Sequence, residues 1–158
     1  MDVIIMPSIT SLINSLSGDF PHLVFTPANE FRWLPSAATI YYDTDSNDLA
    51  SLLHEVAHGA LGHTDYLRDV ELIQLERDAW EHAKTKLAPR YSLTISNDAI
   101  EDALDTYRDW LHARSLCPVC SATGVQHRKN EYRCIACSTR WHVNDARTCM
   151  LRRYLIAK

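Results

Sequence analysis

Four cysteines stand in two pairs, Cys117-Pro-Val-Cys120 and Cys134-Ile-Ala-Cys137, with thirteen residues between the pairs. Each Cys-x-x-Cys is a knuckle that can turn two thiolates toward one ion. Two knuckles close all four positions of a tetrahedral Zn2+, which makes the predicted site structural. A redox dithiol would not need two copies. The expected fold is a zinc ribbon of two short hairpins, too small to hold together without metal. The chain has five Cys, all after residue 116. An odd number in this grouping does not suit a secreted disulfide framework and points to a reducing compartment. Cys149 is read as a small buried residue, and neither it nor His142 is read as a ligand.

Charge divides the 158 residues in the same place. Residues 1–113 carry 7 Lys+Arg against 18 Asp+Glu, whereas 114–158 carry 9 against 2. An acidic part followed by a basic one predicts two modules, 1–115 and 116–158. In the second, Arg128, Lys129, Arg133, Arg140, Arg147, Arg152, Arg153 and Lys158 surround Tyr132, Trp141 and Tyr154. Cations interleaved with aromatic rings suit phosphates and unpaired bases. The same residues would also suit a protein partner or an attraction to the acidic module. No apolar run approaches the roughly 20 residues needed to span a bilayer. The start, MDVIIMPS, has Asp2 and no early Lys or Arg, unlike a secretory leader. The expectation is a cytoplasmic protein with no membrane partner.

The acidic part contains LLHEVAHGALGH, Leu52 to His63. His54 and His58 are four apart, so a helix puts both imidazoles on one face, where they can share an ion. Glu55 stands beside the first of them, where a carboxylate can meet water rather than metal. That is the arrangement for zinc-assisted hydrolysis, with Glu55 as the group that takes up and returns the proton.

A catalytic zinc needs a third protein ligand. Glu76 is the favoured candidate. It lies in the next predicted helix, among Leu72, Ile73, Ala79, Trp80 and Ala83, so it falls on or beside a buried face, where a carboxylate has to be paired or metal-bound. His63, Glu71 and Asp69 also compete for the role, and a solvated Glu76 or one paired near Arg77 or Lys84 is the bland reading. The helix carrying His54 is expected from about Asp48 to Leu61, capped by Ser46 or Asn47 and ended by Gly62. Its successor should run from about Asp65 or Asp69 to Leu87, stopped by Pro89, and a third from about Asn97 to Ser115. Ile9, Leu12, Ile13 and Leu16 predict an earlier helix over 3–17, with Pro7 in its first turn and Gly18 ending it. LVFTP, FRWL and TIYYD read as strands, as do EYRCIAC and RWHV in the cysteine module. Tyr42, Tyr66 and Tyr91 are candidate donors to an oxyanion. His22, His82 and His112 are read as surface residues, and Asp78 as a residue facing solvent or orienting a ligand His.

HEVAHGALGH followed by LERDAWEHA resembles the ImmA/IrrE group of zincin-like metallopeptidases over roughly residues 20–90. The resemblance implies that Glu76 is the third metal ligand. It also implies an α+β, zincin-like metallopeptidase domain with a small sheet packed on the active-site helices. Family members commonly carry Asn or Asp four residues after that Glu, where this chain has Trp80. A ribbon placed after HExxH is also similar in architecture to SprT-like proteases, which use a later His that this chain lacks.

The chain is therefore expected to hold two Zn2+, one catalytic on His54, His58 and Glu76 and one structural on Cys117, Cys120, Cys134 and Cys137. It should act as a gluzincin-like zinc metallo-endopeptidase on a protein or peptide substrate, a regulator being one candidate. The alternative is a non-enzymatic regulatory protein whose basic ribbon binds DNA or a protein partner.

Overall fold

The computed structural model describes residues 7–145 and 150–157, so the readings of Cys149, Arg147, Lys158 and residues 3–6 lie outside it. The fold is α+β, with two small sheets among the described residues. Two compact units form. The first takes the described residues up to Asp65 together with Leu75–Ile100; the second takes Tyr66–Gln74 and the described residues from Glu101 onward. No helix among the described residues is long and apolar enough to cross a membrane.

In the first unit α1 spans Ile9–Asp19, and Ile9, Leu12, Ile13 and Leu16 are its buried residues, as their spacing required. Its start differs from expectation: Ser8 caps it by accepting a bond from Ser11 N–H, which leaves Pro7 outside the helix. Nor does Gly18 end it, because the chain keeps helical geometry to Asp19 and is capped at Phe20. Arg90 pairs with Asp19 at 2.7 Å and Tyr91 donates its hydroxyl to the same carboxylate. Strands β1 (Val24–Ala28), β2 (Arg32–Leu34) and β3 (Thr39–Asp43) form a sheet in the order β1-β3-β2, with β1 parallel and β2 antiparallel to β3. Strand β2 is thus an edge, and its outward N–H groups have no ladder partner.

Helix α2, Leu49–Leu61, follows β3 after a short polar stretch, 44–48. Its cap is Asp48 rather than Ser46 or Asn47: Asp48 Oδ1 accepts from Ser51 N–H at 2.9 Å. Leu52, Leu53, Val56 and Ala57 are fully buried. Gly62 ends the helix in the left-handed region at φ 68, where glycine has no Cβ to strain. Gly59 has a different reason: a Cβ there would lie 3.0 Å from a Leu23 methyl and 3.2 Å from the Trp33 ring. Its absence lets the Trp33 ring lie close against α2. Helix α3, Asp69–His82, continues through widened π-type turns over Ala83–Leu87 into α4, Ala88–Arg90, so Pro89 sits inside a last helical turn instead of stopping the run at Leu87.

The second unit is built on α5, Asn97–Ser115, whose residues from Glu101 onward belong to it, and on an antiparallel sheet β4-β5-β6-β7. Strands β5 (Glu131–Cys134) and β6 (Arg140–Val143) fall within the two segments read as strands; β4 (Gly124–Arg128) and β7 (Arg153–Leu155) lie outside them. Tyr132, Cys134, Trp141 and Val143 form the core with Cys117. Bordering that apolar cluster is a buried ion pair. Arg114 donates from Nε to Asp69 Oδ2 at 2.7 Å, and both side chains are almost wholly enclosed. The Tyr132 hydroxyl donates to the same carboxylate. Gln126 Oε1 accepts from Asp69 N–H, Asn130 Oδ1 accepts from Arg114 Nη2, and the guanidinium lies 4.4 Å over the Trp110 ring. Such a pair holds because its remaining donors and acceptors are also met.

Removing one member strands the other. Arg114→Leu should destabilise the metal-loaded protein by about 3–5 kcal/mol in urea unfolding. A loss below about 1 kcal/mol would mean that the pair does not hold the unit together.

Candidate metal centres

Within the first unit, the four-residue spacing on α2 sets the His54 and His58 rings edge to face, 4.6 Å between centroids. Helix α3 presents Glu76 to them, with Ala79, Trp80 and Ala83 buried on the same side. Glu76 is itself buried, so the sequence-based expectation of an inward carboxylate is met. Its Oε2 lies 2.9 Å from His54 Nε2 and its Oε1 3.5 Å from His58 Nε2, while the two Nε2 atoms are 3.1 Å apart. Burial alone would raise the Glu76 carboxyl, but hydrogen bonds and charge from the two imidazoles outweigh it and hold the group well below the usual range.

The two Nε2 atoms and the Glu76 carboxylate fit a small cation. Zinc bound at about 2.0–2.1 Å places neighbouring N and O ligands about 3.3 Å apart in a tetrahedron, close to the three separations found. One carboxylate and two imidazoles, with their ligand atoms within 4.8 Å of one another, are also a donor set compatible with zinc.

The two imidazoles are held in different ways. His58 Nδ1, the nitrogen turned away from the cluster, meets His63 Nδ1 at 2.8 Å. The Gly62 turn brings His63 back, with its N–H donating to the His58 carbonyl at 3.0 Å. His63 therefore supports a ligand candidate instead of replacing Glu76 as one. His54 has no such support: its Nδ1 is buried without a hydrogen-bond partner among the described residues, as is Trp80 Nε1. The His54 ring instead stacks on Trp80, 4.1 Å between centroids and 19° from parallel. Neither Asp69 nor Glu71 competes with Glu76 for the ion. Asp69 pairs with Arg114, and Glu71 accepts from the N–H groups of Leu67 and Arg68.

Glu55 stands beside the triad without joining its short contacts. Its Oε1 is 4.0 Å from His54 Nε2, and its Oε2 accepts from the Trp33 main-chain N–H at 2.7 Å. That donor is one of the unpaired edge groups of β2. Burial raises the Glu55 carboxyl above its ordinary value, against the pull of His54 and His58. The Trp33 indole donates to the His63 carbonyl at 2.8 Å, so one residue secures both Glu55 and the turn that carries His63. Sequence reasoning missed Trp33, since nothing in a strand pattern marks a main-chain donor.

In the second unit the two knuckles repeat one hydrogen-bond pattern. Cys117 N–H donates to Ala122 O and Ser121 N–H returns to Cys117 O; Cys134 N–H donates to Thr139 O and Ser138 N–H returns to Cys134 O. Ser121 and Ser138 both take the left-handed conformation. Main-chain N–H groups of Val119, Ala136 and Cys137 point at the Cys117 and Cys134 sulfurs. The sulfurs of Cys117 and Cys137 are 3.7 Å apart and those of Cys120 and Cys134 3.5 Å apart. That is too long for a disulfide and near the roughly 3.8 Å edge of a tetrahedron with zinc–sulfur bonds of about 2.3 Å. The Thr139 hydroxyl and N–H pull the Cys137 thiol down to about 6. Cys120, despite the Ala122 N–H, is pushed up to about 12 by the neighbouring sulfurs. Four crowded thiols cannot all ionise without a cation among them.

Elemental analysis of the purified protein should find two metal ions per chain. His58→Ala and Cys134→Ala should each remove one and leave the other; an unchanged count in either variant would exclude that cluster as a metal site. His63→Ala should keep both ions but weaken the one at the histidines by about 10–100-fold in chelator competition, because it removes the bond that orients His58. Comparison with protein-family models, with curated proteins and with solved structures found no match to this chain.

Proposed function

We propose that the chain is a zinc-dependent metallopeptidase that hydrolyses peptide bonds in a protein substrate, with its catalytic ion on His54, His58 and Glu76 and a structural zinc on the four cysteines. The observation that carries the reading is the placement of Glu55. A carboxylate that merely filled the core would be drawn into the nearest ion pair. Glu55 is instead fastened through one oxygen to Trp33 N–H, and the other oxygen lies 4.0 Å from His54 Nε2.

Zinc bound at the triad supplies Lewis acidity, which polarises a carbonyl and lowers the pKa of water toward 7. The chain's own residues do the rest. Glu76 brings negative charge that offsets the cation, and His58 is kept in one orientation by His63. Glu55 Oε1 accepts a proton from the attacking water and delivers it to the leaving amine nitrogen. A partly desolvated carboxylate is a stronger base than one in water, which suits that task near neutral pH. The zincin-like character of the first unit, with a small sheet edge beside the histidine helix, is part of the same proposal. Of the tyrosines considered as oxyanion donors, Tyr91 already donates to Asp19 and is spent.

Glu55→Gln keeps the size and most hydrogen bonding of the side chain while removing its basicity. The variant should bind two metal ions per chain and lose cleavage by at least about a hundredfold. The readout is mass spectrometry of new N-termini in a soluble protein extract treated with each form. Cleavage that persists in Glu55→Gln, or that survives metal removal, would place the activity outside this site.

A further inference from the structure

Strand alternation sorts the side chains of the second unit's sheet onto two faces. Tyr132, Cys134, Trp141 and Val143 point into the core. The opposite face carries Val125, Arg133 and Arg140 in one cross-strand row, and Glu131, His142 and Tyr154 in the next. Arg133, Arg140, His142 and Tyr154 are all exposed. We infer that this face binds single-stranded nucleic acid, with Arg133 and Arg140 on consecutive phosphates and Tyr154 stacked on an unpaired base.

Three observations carry the inference. Arg133 and Arg140 are directly opposite partners on adjacent antiparallel strands. Their Cβ atoms stand about 5 Å apart, and like charges directly opposite weaken a sheet, a cost that a bridging anion would relieve. Glu131, the one acid in these two rows, lies 3.6 Å from Arg140 and is half-buried. Arg128, paired with Glu131 at the bulged end of β4, adds a further exposed cation at that end.

The second observation is the aromatic residue. Tyr154 lies opposite His142 and diagonal to Arg140, roughly 7–8 Å away. Its ring is half exposed on an edge strand whose three residues all face solvent. A base stacked there needs a free π-face, which a single strand offers and a duplex does not.

The third observation is what the face lacks. The most exposed apolar side chains of this unit, Met150, Ile135, Leu67, Leu155 and Val119, lie outside these two rows, and of them Val119 and Leu155 line a cavity that reaches Arg140 at the end of the first row. Only Val125 among the large apolar residues belongs to them. A protein interface would need an apolar centre, whereas a phosphate chain needs cations and one or two rings. The inference is independent of the proposed hydrolysis, because its readout needs no cleavage.

The test is fluorescence anisotropy with a fluorescein-labelled thymidine oligonucleotide of about 15 nucleotides, titrated with the full metal-loaded chain at several salt concentrations. Binding should weaken with salt. Arg133→Ala/Arg140→Ala should lower affinity at least tenfold and flatten the log–log salt dependence by about 1–1.5. Tyr154→Ala should lower affinity with the salt slope unchanged. Arg133→Lys/Arg140→Lys should retain most of the binding, and metal content checks that each variant is folded. Absence of salt-sensitive binding by the unaltered chain would overturn the inference, as would equal affinity in the double alanine variant. Equal affinity for duplex with no effect of Tyr154→Ala would overturn the single-strand assignment. Poly-glutamate binding as tightly through the same two arginines would make the face a protein-docking surface instead.

Discussion

A carboxylate buried among apolar helices has to be met by donors or by positive charge, and Glu76 is such a carboxylate. The arrangement around it follows from that demand. α2 supplies two imidazoles one turn apart, a Gly62 turn returns His63 to steady one of them, and Trp80 covers the other. The apolar residues of α2, from Leu49 to Ala57, anchor this frame in the core. Packing and ligand geometry are therefore the same problem here: the helix face that offers His54 and His58 has to come close to α3 for Glu76 to reach them.

The second unit meets a similar difficulty by other means. Its apolar core is small, and it is bordered by two polar elements: a cluster of four sulfurs, of which only Cys117 and Cys134 are buried, and the Asp69–Arg114 pair. The sulfurs are arranged by two copies of one turn, so their geometry comes from backbone conformation and not from side-chain packing. The ion pair is satisfied on nearly every side, by Tyr132, Gln126 and Asn130, and the Trp141 indole donates to the Arg114 carbonyl. A unit of this kind trades hydrophobic area for directional bonds.

Much of this was legible from residue spacing. The interval between His54 and His58, the apolar company of Glu76 and the two knuckles each predict a grouping that the fold brings together. The signals that failed were local ones. Asp48 outcompetes Ser46 and Asn47 as a cap because a carboxylate can take both the N–H and the hydroxyl of Ser51. Gly18 reads as a stop, yet glycine tolerates helical geometry, and the turn waits for Phe20. β4 and β7 carry little strand pattern: GVQHR has one strongly β-forming residue, and the three residues of β7 are all exposed. The roles of Asp69 and Trp80 depended on tertiary partners, Arg114 and His54, that no spacing rule connects to them.

The bond between Trp33 and Glu55 comes from a peptide group, so it is indifferent to the identity of the side chain at that position. Every residue type except proline offers the same N–H. Substitution at position 33 leaves that N–H in place, and a scan that truncates side chains will register the ring's packing on α2 and the indole contact with the His63 carbonyl, not the bond to Glu55. The part of the site that orients the carboxylate is written into the path of an edge strand, where a catalogue of side chains does not record it.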